Sequence, residues 1–362
     1  MKVKTSKDNL SKGIQVVHNV VSTKATLPIL SNMLIETRSQ GLKMNTTDLD
    51  IGISCEIPVD ILEEGAITIP AKRFSDIVRE LPPGDILINT RKNNQIDIEG
   101  LRCRFKLIGL PKEEFPKFPE FKDKEVVRIN QDLLQEMIRM TQFAVSHEEA
   151  RYVLNGILME ISGRTIRLVA TDGRRLAKIE KQLKTAVKND VSVIIPIKAV
   201  QEIYRNLQEE GTVAFITGTN QVLFDIEGTM IATRIIEGEF PNYHQVIPES
   251  VSPKIKVNTE FLLSAIRRAN LLSTVDFQAI KIEVFPNKLV VSKTTPDIGE
   301  SREEVPIQYG GKELIVGFNP HFLIDVLKNI DAEEIELELL GPDKAGVIRM
   351  KDYLYLALPM LL

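Results

Sequence analysis

The sequence predicts an α+β fold built three times over, each copy laying two helices on antiparallel sheet. Two observations carry this. A pattern of helix, strands, helix and closing hairpin recurs with a period of about 125 residues. Proline-rich stretches, "FPKFPEF" at 115–121 and "FPNYHQVIPESVSP" at 240–253, stand between the copies. The expected domains are therefore 1–121, 122–248 and 249–362, joined by short, stiff connections.

Each copy opens on a helix: "KDNLSKGIQVVHNVVS", "NQDLLQEMIRMTQFAVS" and "NTEFLLSAIRRANLLST". Leu10, Leu133 and Leu262 take the same place in these segments. Asp8, Gln131 or Asp132, and Asn258 or Thr259 supply cap-like residues. Alternating strands follow, "LSNMLIETRSQGLKMNTTDLDIGIS", "LNGILMEISGRTIRLVATDGRRLAKIE" and "AIKIEVFPNKLVVSKTTPDIGESREE". Asp48, Asp172 and Asp297 recur near one turn of each copy, which points to a structural role for the acid. Second helices follow in "IPAKRFSDIVRELPPG", "IPIKAVQEIYRNLQEEG" and "FNPHFLIDVLKNIDAEE". Hairpins close the copies, and the last, "AGVIRMKDYLYLALPMLL", makes "YLYLA" the final strand, with Pro359 ending its pairing.

Composition narrows the function classes. With 43% hydrophobic and 27% charged residues the chain is globular in character, and no run approaches the length of about eighteen apolar residues that a membrane span needs. The start, "MKVKTSKDNLSKG", lacks the apolar core of a signal peptide, so a cytoplasmic location is expected. Cys55 and Cys103 lie singly in strand-like runs and read as small buried hydrophobes. The histidines, His18, His147, His244 and His321, are scattered, so neither a metal site nor another cofactor is expected. A net charge of −4 excludes a wholesale basic coat but not a local basic face.

Geometry suggests what three such copies do. A domain of about 120 residues is roughly 35 Å across; three in a ring leave a hole of about 5 Å, and six one of about 35 Å. Only the larger admits a DNA duplex, and a head-to-tail dimer closes it. On the helices, acids gather near the N-termini (Asp8, Asp132, Glu260), with basic residues further along or at helix entries: Lys12, Lys72, Arg73, Arg79, Arg139, Lys198, Arg205, Arg267, Arg268 and Lys328. Facing DNA, such residues would make sequence-independent, salt-sensitive phosphate contacts. A plain solvated face is the alternative reading.

Along its whole length the chain resembles the bacterial beta sliding clamps, the processivity subunits of replicative DNA polymerases. The resemblance rests on "TLPILSNML", "TDLDI", "RYVLNGILMEI", "ATDGRRLA", "EGEFPNYHQVIP" and "LPMLL", met in the family's order. It implies a six-domain homodimeric ring on double-stranded DNA, without catalysis. It also implies a groove between the second and third domains for peptides of polymerase subunits, the clamp loader and repair polymerases. Position by position, that groove comprises Leu154, Thr171, Gly173, Arg174, Arg175, Leu176, Pro241, Val246, Leu356, Leu358, Pro359 and Met360. The family tail often carries a basic residue where Leu361 stands, so a polar contact to partners is in question there.

The resemblance also implies DNA contacts at Lys24, Arg73, Tyr152 and Lys198. It puts the first domain of one subunit against the third of its partner. Arg102, Arg104, Phe105 and Leu107 stand on one side, Leu271, Leu272, Glu300, Glu303 and Glu304 on the other. Two rival readings stay open at the level of sequence. One is a hydrolase using the acids of "TTDLD" and "TDGRR", against which stands the lack of any phosphate loop or nucleophile signature. The other is a three-repeat scaffold that never surrounds DNA.

Overall fold

The structure, a computed structural model, describes residues 1–21, 27–39, 41–121, 124–250, 253–339 and 341–362. The first third contains β1 (Lys2–Ser6), α1 (Lys7–Val17), β2 (Asn32–Arg38), β3 (Gly41–Thr47), β4 (Ile51–Ile57), β5 (Asp60–Glu63), β6 (Ala66–Pro70), α2 (Ala71–Glu80), β7 (Asp85–Thr90), β8 (Gln95–Gly100) and β9 (Cys103–Ile108). The second contains β10 (Val126–Asn130), α3 (Gln131–Arg139), β11 (Gly156–Ser162), β12 (Thr165–Thr171), β13 (Arg175–Gln182), β14 (Val191–Pro196), α4 (Ile197–Asn206), β15 (Thr212–Thr217), β16 (Gln221–Ile226) and β17 (Thr229–Arg234). The last contains β18 (Ile255–Asn258), α5 (Thr259–Asn270), β19 (Ile280–Phe285), β20 (Lys288–Thr295), β21 (Gly299–Gln308), β22 (Leu314–Phe318), α6 (Pro320–Leu327), β23 (Glu334–Leu339), β24 (Gly346–Arg349) and β25 (Tyr353–Ala357).

The elements gather into two compact units. One, residues 1–132 with 201–235, holds a five-stranded sheet in the order β5-β1-β7-β8-β9 and an eight-stranded sheet, β10-β15-β16-β17-β4-β3-β2-β6. The other, residues 133–200 with 236–362, holds a twelve-stranded sheet, β14-β11-β12-β13-β25-β24-β23-β18-β21-β20-β19-β22. All pairings are antiparallel, so each strand alternates a core face with an outer face. In each unit a third strand of one copy pairs with the last strand of the next: β4 with β17, and β13 with β25.

Helices bury one stripe each. α1 buries Leu10, Gly13, Ile14 and Val17, a spacing that brings one face of the helix onto β3 and β4. Gly13 is required there, because a Cβ would lie 2.6 Å from Ile57 Cγ2 and 2.8 Å from Met44 Sδ. α5 buries Leu262, Leu263, Ala265, Ile266 and Ala269 against β20, β21 and α6.

Several sequence expectations are corrected. Each first helix is preceded by a short strand, and so is each second helix; four to six residues with one wet face, such as "KVKTS", carry too little periodicity to stand out. The first helices also end early. α3 stops at Arg139 because the Thr141 hydroxyl donates to the Met137 carbonyl at 2.8 Å, satisfying a helix end. Leu134, fully buried, holds the place of Leu10 and Leu262, one residue beyond the expected Leu133, which is half-buried. Ser6 and Asn258 cap α1 and α5, accepting from the Asn9 and Phe261 N–H groups; Asp8 lies inside the first turn. Cys55 is buried, with its thiol pushed up to about 12 by burial, but Cys103 is exposed, because β9 is an edge strand.

Candidate functional site

The turn between β12 and β13 is built by its acid. Asp172 Oδ1 accepts from the backbone N–H groups of Arg174 and Arg175, both at 2.9 Å, while the Thr171 hydroxyl donates to the Arg175 carbonyl at 2.6 Å. Gly173 takes a left-handed φ of 85°, and a Cβ there would meet Arg151 Nη1 at 2.5 Å. Arg151 donates to the Asp172 carbonyl at 3.0 Å. Asp48 repeats the device in the first third, accepting from Asp50 and Ile51, and Asp297 adopts a left-handed φ of 62°. The expected structural role is therefore met by the Asp48 and Asp172 side chains, whereas Asp297 contributes its backbone conformation.

Behind the turn, β13 and β25 pair with Arg175 opposite Ala357 and Leu176 opposite Leu356. Leu176 and Leu356 join Leu158, Val169, Ile194, Tyr243, Val347 and Leu354 in one buried cluster, with Phe240 and Ile247 packed on it. Next in sequence to these cluster residues, Pro241 and Val246 (57% exposed) stand in solvent, as does Leu358 (44% exposed) two residues after Leu356. Exposed apolar side chains on segments that flank a buried apolar cluster make a ledge suited to another chain's hydrophobic residues.

Tyr243, which sequence reasoning passed over, fixes the loop that carries Pro241 and Val246. Its ring lies in the cluster and its hydroxyl donates to Glu160 at 2.7 Å, beside Arg167, which also holds Glu180 at 2.7 Å. Burial, then the Glu160 carboxylate, raises the tyrosine's pKa, so it stays a protonated donor. Burial opposes the Glu180 charge, but the hydrogen bonds and positive charges of Arg167 and Lys178 together outweigh it and hold that carboxyl below its usual range. An aromatic residue in an otherwise polar loop was the available signal.

Arg175 is structural. Its guanidinium meets Asp172 at 3.0 Å, Asp325 at 2.8 Å and the Phe143 carbonyl at 2.6 Å, and stacks 4.7 Å from the Phe322 ring. Arg174, by contrast, is exposed, and its carbonyl accepts from the Leu358 N–H at 2.8 Å. Leu154 is buried but lies outside the apolar cluster. The pairing of β25 stops at Ala357, just ahead of Pro359, as expected, and Met360 beyond it makes an isolated bridge to Gly317, its N–H donating to that carbonyl at 2.8 Å. A Cβ on Gly317 would lie 2.5 Å from the Met360 carbonyl oxygen, so glycine admits the bridge.

The expected DNA contacts are dispersed. Arg73 is exposed in the first turn of α2, Lys198 in that of α4, and Tyr152 is 58% exposed; Lys24 lies outside the described residues. Of the basic helix residues, Arg79, Arg139, Arg205, Arg268 and Lys328 are ion-paired within the chain. Lys12, Lys72, Arg73 and Arg267 are exposed and have no ion partner among the described residues.

Most of the expected interface residues fall on two sheet edges, with Arg102 in the turn before β9 and Leu271 and Leu272 just after α5. β9 borders its sheet and exposes Arg102, Arg104 and Phe105, with Leu107 half-buried. β21 pairs with β20 along its length but with β18 only at Ile307 and Gln308, leaving residues 299–306 with one unpaired side among the described residues. Glu300 and Glu304 are exposed there, Leu271 is 80% exposed and Leu272 half-buried. Arg104 is held by Asp97 and Glu99, and Glu303 by Arg268 at 2.8 Å.

Among the described residues no group of three or more His, Cys, Asp or Glu is placed to hold a metal, and no helix is long and apolar enough to cross a membrane.

Comparison with known proteins decides the family. Models of the DNA polymerase III beta subunit match in succession: its N-terminal domain over residues 1–119, its central domain over 128–242 and its C-terminal domain over 244–360. The chain belongs to the beta sliding clamp family. The beta sliding clamp of Chlamydia muridarum is 31% identical over 348 residues, covering 96% of this chain and 95% of that protein. The sliding clamp of Bacillus subtilis superposes with a TM-score of 0.96 at 30% identity, covering 100% of this chain and 99% of its own. The Pseudomonas aeruginosa clamp bound to griselimycin superposes at 0.95 with 30% identity, each chain fully covered. As a beta sliding clamp, the chain is a non-catalytic processivity subunit of DNA polymerase III, and its three clamp domains pack helices on antiparallel sheet.

Proposed function

We propose that two copies close head to tail into a ring on double-stranded DNA, and that partner peptides dock on the ledge formed by β13, β25 and the Pro241–Val246 loop. The observation that carries the ring is a repeated pairing. β4 takes β17 and β13 takes β25, so the third member of the series, β21, lacks a partner of the type that β9 supplies. Among the described residues β9 and residues 299–306 of β21 are unpaired on the sides in question, one bearing Arg104 and Lys106 with Arg102 just before it, and the other Glu300, Glu303 and Glu304. Joining β21 of one chain to β9 of a second continues the series and closes a two-fold ring.

The groove reading comprises Leu154, Thr171, Gly173, Arg174, Arg175, Leu176, Pro241, Val246, Leu356, Leu358, Pro359 and Met360, with Arg175 acting as a support. Burying a partner's Leu or Phe is worth roughly 1.5–3 kcal/mol each. Two anchors, less the ordering of a flexible peptide, suit affinities on the order of micromolar, so that a polymerase subunit, the clamp loader and repair polymerases exchange. The griselimycin complex of the Pseudomonas aeruginosa protein supports a ligand-holding surface on this fold. Lys24, Arg73, Tyr152 and Lys198 are the DNA contacts of this reading. The domains are 1–121, 122–248 and 249–362, and the cytoplasm is the setting.

Loading the protein on a nicked DNA circle and then cutting the circle tests enclosure: release on linearisation is expected, and retention would overturn the ring. Deleting residues 358–362 should abolish peptide binding while leaving the dimer intact; polymerase stimulation that survives the deletion overturns the groove.

A further inference from the structure

Among the described residues, Asp97, Glu202, Glu338 and Lys293 are the carboxylates and amines buried to nine-tenths or more. The three acids each have a cation within 4.0 Å. Lys293 has none: its Nζ donates to the backbone carbonyls of Phe277 at 2.7 Å and Ala279 at 2.8 Å, which leaves one ammonium hydrogen without an acceptor among the described residues. A buried charge is normally paired, because withdrawing an ammonium from water without a counter-charge is costly.

Lys293 also lines a cavity of about 330 Å³, together with Asp276, Phe277, Lys281, Met360, Leu361 and Leu362. The cavity has an apolar rim, since Phe277 is 48%, Leu361 98% and Leu362 67% exposed. It adjoins the ledge through Met360, the residue bridged to Gly317. The combination is two lysines and one aspartate, a net positive lining, beside exposed apolar side chains. It fits an acidic residue flanked by an apolar one better than it fits a free, fully hydrated anion, which would leave the rim bare.

We propose that this cavity takes a side-chain carboxylate of the docked peptide, held by Lys293, while an adjacent apolar residue covers Phe277 and Leu361. The inference rests on the peptide-groove reading and adds a charge requirement to it. Aspartate or glutamate supplies the acceptor that the remaining ammonium hydrogen lacks. Asparagine at the same place offers only a neutral carbonyl.

Two synthetic peptides test it, each with a leucine and a phenylalanine anchor flanked on both sides by aspartate in one and asparagine in the other. They are titrated by fluorescence anisotropy into the full chain, Lys293→Met and Lys293→Arg. Wild type should bind the aspartate peptide roughly tenfold more tightly, the usual worth of a charge-assisted hydrogen bond. Lys293→Met should lose that preference while holding the asparagine peptide as wild type does, and Lys293→Arg should keep it. Equal affinity for both peptides in wild type, or a preference that survives in Lys293→Met, overturns this inference and leaves the groove standing. Failure of both peptides to bind wild type overturns the groove reading and this inference with it. Loss of preference in both variants, with a lowered melting temperature in both, marks Lys293 as a pin for the 277–279 segment and also overturns the proposal.

Discussion

At Arg175 one side chain ties together three stretches of chain: its own turn through Asp172, α6 through Asp325, and the residues after α3 through the Phe143 carbonyl. Burial alone would lower its pKa, but the hydrogen bond to Asp325 and the surrounding acids raise it, so the charge persists. Asp325 is the mirror case: burial opposes its charge, yet Arg175 and Lys328 hold its pKa below the ordinary carboxylate value. A carboxyl depressed in the folded state stabilises the fold above its unfolded pKa of about 4, and that contribution drains away as pH falls through the lower folded value. Arg175→Met should therefore cost on the order of 3 kcal/mol at neutral pH. It should also flatten the decline of the urea midpoint between pH 6 and pH 3, because Asp325 would then titrate nearer its unfolded value. Tyr243→Phe should be milder, about 1 kcal/mol for one lost hydrogen bond. Peptide affinity should fall with it, since the hydroxyl anchors the loop bearing Pro241 and Val246.

At the scale of elements, the repeat explains why the apolar ledge forms at one junction and not at the corresponding one. The two turns are hydrogen-bonded alike: the Thr47 hydroxyl donates to the Ile51 carbonyl as Thr171 does to Arg175, and the Arg234 N–H donates to Asp50 as that of Leu358 does to Arg174. Their side chains differ. Gly52 and Ala232 stand where Leu176 and Leu356 stand, and the Phe118 ring lies 3.4 Å from where a Gly52 Cβ would be, covering that floor. Arg234 replaces Leu358 at the rim, so the first junction presents charge where the second presents a ledge.

The edge strands lend themselves to a chemical test. Cys103 is exposed on β9, while Cys55 is buried with a pKa near 12, so a maleimide should label Cys103 alone in the folded protein. If β9 joins β21 of a second chain, labelling should slow as the concentration rises through the dimer dissociation constant. Leu107→Glu should give particles of 40.8 kDa by light scattering, half the mass of the wild-type dimer, because a charge cannot be buried cheaply at that seam. Unchanged mass would remove β9 from the interface.

For the whole molecule, the architecture was legible because alternation and helical spacing recur in each copy, so that "LNGILMEISGRTIRLVATDGRRLAKIE" declares three strands without further help. The six short strands that lead into helices were not, and neither were Tyr243 and Lys293, whose roles come from burial and from partners distant in sequence. The groove residues came from family likeness, and their physical logic emerged only with the β13–β25 register.

Charge then sets how the molecule must hold DNA. With a net charge of −4, and only Lys12, Lys72, Arg73 and Arg267 among these helix cations both exposed and free of ion partners among the described residues, direct attraction to phosphate is weak. Four phosphate contacts per chain give a log–log salt slope of about −3.6. Binding to linear DNA should accordingly vanish when salt is raised from 50 to 200 mM, whereas protein loaded on closed circles should stay, since enclosure does not depend on counterion release. Reversing Lys72 and Arg73 to glutamate should weaken the linear-DNA signal and reduce its salt slope, yet leave the lifetime on closed circles little changed. A lifetime on circles that tracks salt as steeply as linear binding does would mean that phosphate contacts, and not a closed ring, retain the protein.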